Sequence, residues 1–207
     1  MPLWGTAHAA ATNKPKFLTT DEDSDYTRQD SYATQGGWAM RAGTKSQGND
    51  NTSADPEILV AIGDLAGSTD TTGLRAPTVT HMRFVKGTTA TTDLTAVDST
   101  GRVMVEITWD EAVTVAGSPR VVVANSNASG GGFGNYTLTY TATGSTANRK
   151  RFVATSQSLG NTDVLTLGGA NITLNSGTIS DTVRGGTNLA ASLVLSGITA
   201  VAVTIAS

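Results

Sequence analysis

The sequence predicts an all-β protein: an antiparallel β-sandwich over residues 77–207, preceded by an extended N-terminal arm (1–35) and a β-hairpin with a linker (36–76). Three observations carry that expectation. Val103, Val105, Ile107 and Trp109 alternate with Arg102, Met104, Glu106 and Thr108, the period-2 signature of a strand buried on one face. Tyr136, Leu138 and Tyr140 repeat the pattern against Thr137, Thr139 and Thr141. The composition is lean, with 38% hydrophobic, 15% charged and 5% aromatic residues and 23 Gly, which suits thin β structure with many turns.

Taken from the N-terminus, the arm carries large side chains without periodicity. Trp4, Phe17, Leu18, Tyr26, Tyr32 and Trp38 stand singly among polar residues. A disordered tail is normally poor in aromatics. An arm that orders by docking needs such anchors to offset roughly 1–2 kcal/mol of backbone entropy per residue. These six residues are therefore the candidate partner-binding set, expected to be buried by other chains. On that reading, deleting residues 1–18 leaves the sandwich folded. The acidic cluster Asp21-Glu22-Asp23-Ser24-Asp25 reads as a solvated turn, because an EF-type loop needs a Gly at its sharp turn and a Glu at position 12.

Trp38–Arg41 and Glu57–Ile62 are expected to pair as a hairpin across a Gly-, Ser- and Asn-rich loop. Asp55-Pro56-Glu57 also resembles a helix start, but the run ends at Gly63 and is β-branched at Ile58, Val60 and Ile62, which favours a strand. Residues 64–76 read as a linker. Beyond them, strands are expected at 80–85, 103–109, 120–124, 136–141, 151–155, 164–167, 171–174, 178–180, 192–195 and 200–205, separated by Gly, Asn, Asp and Pro. The uncharged stretch from Leu189 to Ser207 is long enough for a membrane span, but its Ser, Gly and Thr content and the alternation of Val201, Val203 and Ile205 favour a final strand.

Chemistry-bearing patterns are sparse. The net charge of −3 offers no broad basic surface to a nucleic-acid backbone. With no cysteine there is neither a disulfide nor a thiolate site, and His8 and His81 lack metal-ligand spacing. Ser129-Gly130-Gly131-Gly132-Phe133-Gly134 is neither a phosphate loop nor a dinucleotide fingerprint. Asp110-Glu111 and Asn148-Arg149-Lys150-Arg151 read as solvated turns, with an inter-strand calcium site involving Asp110, Glu111 or Asp163 as the alternative to the former. Met1-Pro2-Leu3-Trp4 lacks the basic and apolar regions of an export signal. The expectation is a non-enzymatic protein without cofactor, metal, nucleic acid or membrane.

Two resemblances refine it. Met1–Gly5, Lys14-Pro15-Lys16, Gly37-Trp38 and Leu59-Val60-Ala61-Ile62-Gly63 resemble virion structural proteins of tailed phages, especially the T4-like phages of marine bacteria. Val105–Val115, Gly117–Val123, Tyr136–Tyr140, Asp163–Leu165 and Ile172–Asp181 resemble the bacterial immunoglobulin-like repeats of surface and adhesion proteins. Together they imply an immunoglobulin-like sandwich on a virion, in the first place as a capsid (head) decoration protein bound to the major capsid protein. Tail, neck or baseplate decoration on tail proteins is the alternative. An adhesive module touching host-surface glycans and a sandwich-fold hydrolase remain as further readings, the last disfavoured by the lack of a nucleophile–base pair.

Overall fold

The alternating residues at 103–109 form the strand around which the molecule is arranged. In a computed structural model, residues 14–20, 27–41, 51, 53–66, 74, 76–86, 89–90, 102–126, 134–155, 157, 159, 163–181 and 188–205 are described. The strands are β1 (Tyr32–Thr34), β2 (Gly37–Met40), β3 (Glu57–Ala61), β4 (Val79–Lys86), β5 (Thr89–Ala90), β6 (Val103–Trp109), β7 (Val113–Ala116), β8 (Arg120–Asn125), β9 (Tyr136–Thr141), β10 (Arg149–Ala154), β11 (Val164–Leu167), β12 (Thr178–Asp181) and β13 (Val201–Thr204). They make a three-stranded sheet (β1-β2-β3), an eight-stranded sheet (β13-β11-β8-β9-β10-β6-β4-β5) and a two-stranded sheet (β12-β7). Every ladder between named strands is antiparallel.

The expected all-β, immunoglobulin-like class holds. β8, β9 and β10 form a meander, and β11 returns beside β8, giving the spatial order of a Greek key. The large sheet curls until β13 approaches β4, so the arrangement is sandwich-like and close to a barrel. Gly168 sits where the two ends meet: it has φ +106, and a Cβ there would strike the Met82 side chain. Inside lie Phe84, Ile107, Trp109, Leu138, Phe152 and Leu165, all fully buried, with Tyr140 edge-on to Phe152 at 6.1 Å.

The hairpin of β2 and β3 forms as expected, and β1 adds a third strand through the tight Gln35-Gly36 turn, with Thr34 paired to Gly37. Gly37 has φ +129, and a Cβ would collide with the Val60 carbonyl, so only glycine lets β3 approach this closely. Ala33, Trp38, Leu65 and Leu74 close a second small core. Leu65 and Leu74 come from the stretch read as a linker, where Leu74 N donates to Leu65 O at 2.6 Å.

Four expectations are corrected. β6 is buried at all seven positions; on its outer face Glu106 is enclosed by Arg83 and Arg151 of the flanking strands. Asp110 and Glu111 are 2% and 3% exposed and not a solvated turn. Asn148 is buried beside β10, and Arg149, Lys150 and Arg151 lie in that strand, where Lys150 Nζ donates to Thr146 O at 2.6 Å. Residues 171–174 and 192–195 form no strand: Thr173 makes one isolated bridge to Arg120. Here the Asn171 side chain accepts from Leu195 N at 3.1 Å, so a side-chain oxygen takes the N–H that a ladder would use. The final strand is present as β13, and no helix among the described residues is long and apolar enough to cross a membrane.

Candidate functional site

The described part of the arm is a strap laid over the outer face of β6 and β10 and held by polar contacts. Thr27-Arg28-Gln29-Asp30 forms a capped 3-10 turn in which Thr27 N donates to the Asp30 carboxylate at 2.9 Å and Gln29 N to the Thr27 hydroxyl at 3.2 Å, a reciprocal cap. From this turn the Arg28 guanidinium donates to Pro15 O (3.3 Å), Lys16 O (2.7 Å) and Leu18 O (3.1 Å), fixing the turn at 14–18. Leu18 tucks inward at 6% exposed, whereas Phe17 points out at 66%.

Beneath the strap runs a seam of buried polar groups. Lys14 is 1% exposed, and its Nζ donates to Gln29 O at 3.0 Å. Asn148 Nδ2 donates to the same oxygen at 3.3 Å and to Trp109 O at 3.1 Å. Arg149 pairs with Asp30. Ala33 N donates to Asp110 O at 2.7 Å, making a parallel bridge toward Glu111, and Thr78 N donates to Asp110 Oδ1 at 2.7 Å. Next to this seam, Glu106 accepts from Arg83 (2.8 and 3.0 Å) and Arg151 (2.6 and 3.1 Å).

Burial shifts these groups strongly. Removal from water lowers the Lys14 ammonium to about 7, against the opposing pull of the Asp110 and Asp30 charges. Burial raises Asp110 to about 6, although the Thr78 N–H favours its charged form. Glu111 is raised to about 9, first by burial and then by the neighbouring Asp110 and Asp181 charges. Glu111 Oε1 and Asp181 Oδ2 are buried without a hydrogen-bond partner among the described residues, so a proton held on Glu111 relieves repulsion there. No group of three or more His, Cys, Asp or Glu among the described residues is placed to hold a metal ion.

Of the six candidate partner-binding residues, the structure brings Leu18, Tyr32 and Trp38 inside this chain, at 6%, 4% and 0% exposed. Their burial is intramolecular, which corrects the premise that another chain must supply it. Phe17 alone of the four described anchors is exposed; Trp4 and Tyr26 lie outside the described residues, as do His8, Asp21–Asp25 and most of the loop at 129–134. Sequence reading missed Lys14, Asp30, Asn148 and Arg149 as members of this seam, and named Asp110 only as a solvated turn residue or calcium candidate. The one local signal was the Thr27-x-x-Asp30 cap. The chain matches no family model, no curated protein and no solved structure.

Proposed function

We propose that this chain is a non-enzymatic structural protein of a tailed-phage virion: a head decoration protein that attaches through its N-terminal region to the major capsid protein and turns its immunoglobulin-like sandwich outward. The observation that carries attachment is Phe17. It is 66% exposed on a turn whose Lys14, Pro15 and Leu18 are buried and three of whose carbonyls are clamped by Arg28. A large aromatic on a preorganised turn fits the anchors that dominate interfaces, each costing about 2 kcal/mol or more when truncated, and it loses little ordering entropy on docking. Ile58, 49% exposed on β3, adds a second apolar contact on the N-terminal part. The virion setting rests on the short motifs at 1–5, 14–16, 37–38 and 59–63.

The test is incorporation of Phe17→Ala into particles, with the parent as control, followed by location of the protein in a density map. The expected result is at least a tenfold loss of occupancy under a salt wash that the parent survives, with unchanged thermal stability. Density on the head lattice supports decoration, and density on tail, neck or baseplate moves the protein to that alternative. Full occupancy of Phe17→Ala refutes attachment through this turn.

A further inference from the structure

Two buried carboxylates, Glu111 and Asp181, are brought to one place by the register of the small sheet. Asp181 of β12 lies directly opposite Val113 of β7. Glu111 stands two residues before Val113 and is held extended by its bridge to Ala33. Burial alternates along both runs: Glu111 and Val113 are buried and Ala112 between them less so, while Ile179 and Asp181 are the buried positions of β12. Residues two apart on a strand share a face, and so do residues paired across it. Glu111 and Asp181 therefore both turn inward as diagonal neighbours, about 7–8 Å apart at the backbone, close enough for both carboxylates to reach a common point.

Their remaining oxygens meet no donor. Glu111 and Asp181 are 3% and 1% exposed. Asp181 Oδ1 accepts from Leu189 N at 2.6 Å, but Asp181 Oδ2 and Glu111 Oε1 are buried with no hydrogen-bond partner among the described residues. The ion pairs among the described residues all go to Glu106 and Asp30, none to this pair. Two like charges out of water without a counter-ion are costly, and a cation placed between them removes that cost.

We propose that Glu111 and Asp181 are the charged ligands of a calcium ion seated where β12 meets the chain leading into β7. An all-oxygen donor set suits calcium or magnesium better than zinc or copper. Calcium takes about six to eight oxygens in flexible geometry and completes its shell with backbone carbonyls and water, so it needs no third carboxylate; magnesium demands a near-ideal octahedron and sheds its waters reluctantly, which suits so enclosed a place poorly. Asp110 and Asp163, the other calcium candidates of the sequence, are engaged by Thr78 N at 2.7 Å and Asn125 Nδ2 at 3.0 Å, and the register supplies Asp181 in their stead. A proton on Glu111 relieves the same repulsion in the metal-free chain, so proton and cation compete for one place.

The experiment is thermal unfolding of the full chain, stripped with a chelator and titrated with calcium chloride at mildly alkaline pH. Sodium chloride at matched ionic strength is the control, and equilibrium dialysis against radiolabelled calcium counts the ions held. The expected result is a saturable rise in melting temperature of about 3 °C or more at roughly 10 mM calcium. Glu111→Gln and Asp181→Asn each lose that rise and one bound ion per chain. Each also removes one of two like charges, so each melts, metal-free, no lower than the parent, which separates the loss of a ligand from damage to the fold. No rise in the parent overturns the proposal, as does a rise that sodium chloride reproduces or one that persists in both variants. Metal-free melting far below the parent's in both variants also overturns it, since the pair would then be a stabilising contact and not a repulsion that a cation resolves.

Discussion

Replacing Glu106 with Gln should destabilise the chain by about 3–5 kcal/mol. The register puts Arg83 of β4 and Arg151 of β10 directly opposite Glu106 on either side of β6, and Glu106 is 2% exposed. Each carboxylate oxygen takes two guanidinium N–H donors, and Arg149 Nη1 stands 3.7 Å away. Gln keeps the shape but turns a donor group toward a guanidinium and leaves three arginines, each with a side chain about one-tenth exposed, without their central counter-charge. Charge-assisted hydrogen bonds contribute about 1.5–3 kcal/mol each, and removing one partner of a buried ion pair leaves the other desolvated and uncompensated. In urea, with a slope of about 1–3 kcal/mol per molar, the midpoint should fall by at least about 1 M while the slope stays unchanged. Salt should barely mimic the change, because screening acts weakly on buried pairs. Exchanging all three members, Glu106→Met with Arg83→Met and Arg151→Met, should be less harmful than Glu106→Gln alone, since no charge of the triad is stranded. A loss under about 1 kcal/mol for Glu106→Gln would assign the triad to the weak surface class and refute the reasoning.

Trp109→Ala should cost about 3–5 kcal/mol, because it empties the centre of the core and removes the Nε1 donor from Ser192 O at 3.0 Å; a loss below about 1 kcal/mol by urea unfolding would contradict the β6 register. Glu111 has its pKa raised from 4.5 to about 9, so the folded state holds a proton that the unfolded state releases. Its stabilising effect is complete below pH 4.5 and is lost as pH rises toward 9. Near pH 6.5 the partial titrations of Asp110 at about 6 and Lys14 at about 7 act on stability with opposite sign and roughly cancel, which leaves Glu111 dominant, so parental stability should fall there by about 1.4 kcal/mol per pH unit and Glu111→Gln should flatten the slope; an unchanged slope sinks the assignment. Gly37→Ala should lose at least about 2 kcal/mol from its positive φ and the collision with Val60 O, and a neutral result in thermal unfolding would refute that approach of β2 to β3.

Much of the fold was legible because period-2 alternation is local. β6 and β9 fall at the residues their alternation marks, β11 falls at the expected run 164–167, and the pairing of β2 with β3 follows from two β-rich runs around a turn-rich loop. The strand order was not legible, since nothing local says that β11 returns beside β8. The seam was hidden for the same reason: Asn148 meets Gln29 across a separation of 119 residues, and a charged run looks alike whether water or a distant strap covers it. Glu106 and Thr108 suggested a wet face, and alternation carries no information on whether polar residues face solvent or polar partners. The linker reading at 64–76 failed on two residues, Leu65 and Leu74, which are too few for a period but enough to close a core over Trp38.

The strap's chemistry also decides how attachment should be probed. Aromatic anchors alone suggested an arm that could be removed without harm, yet Lys14, Gln29, Asp30 and Ala33 are tied to the rest of the seam by hydrogen bonds and an ion pair with buried partners. Removing residues 1–18 takes away Lys14, leaves Asp110 buried without its nearby cation, and strips Arg28 of three carbonyl acceptors. Buried polar groups left without partners cost about 1–3 kcal/mol each, and more for charges, so that truncation perturbs the sandwich as well as any docking surface. A particle-binding defect in the truncated chain would therefore mix two causes. Phe17→Ala separates them, because Phe17 is the described anchor that stands clear of both the seam and the core: a loss of attachment with unaltered stability is attributable to the exposed ring alone.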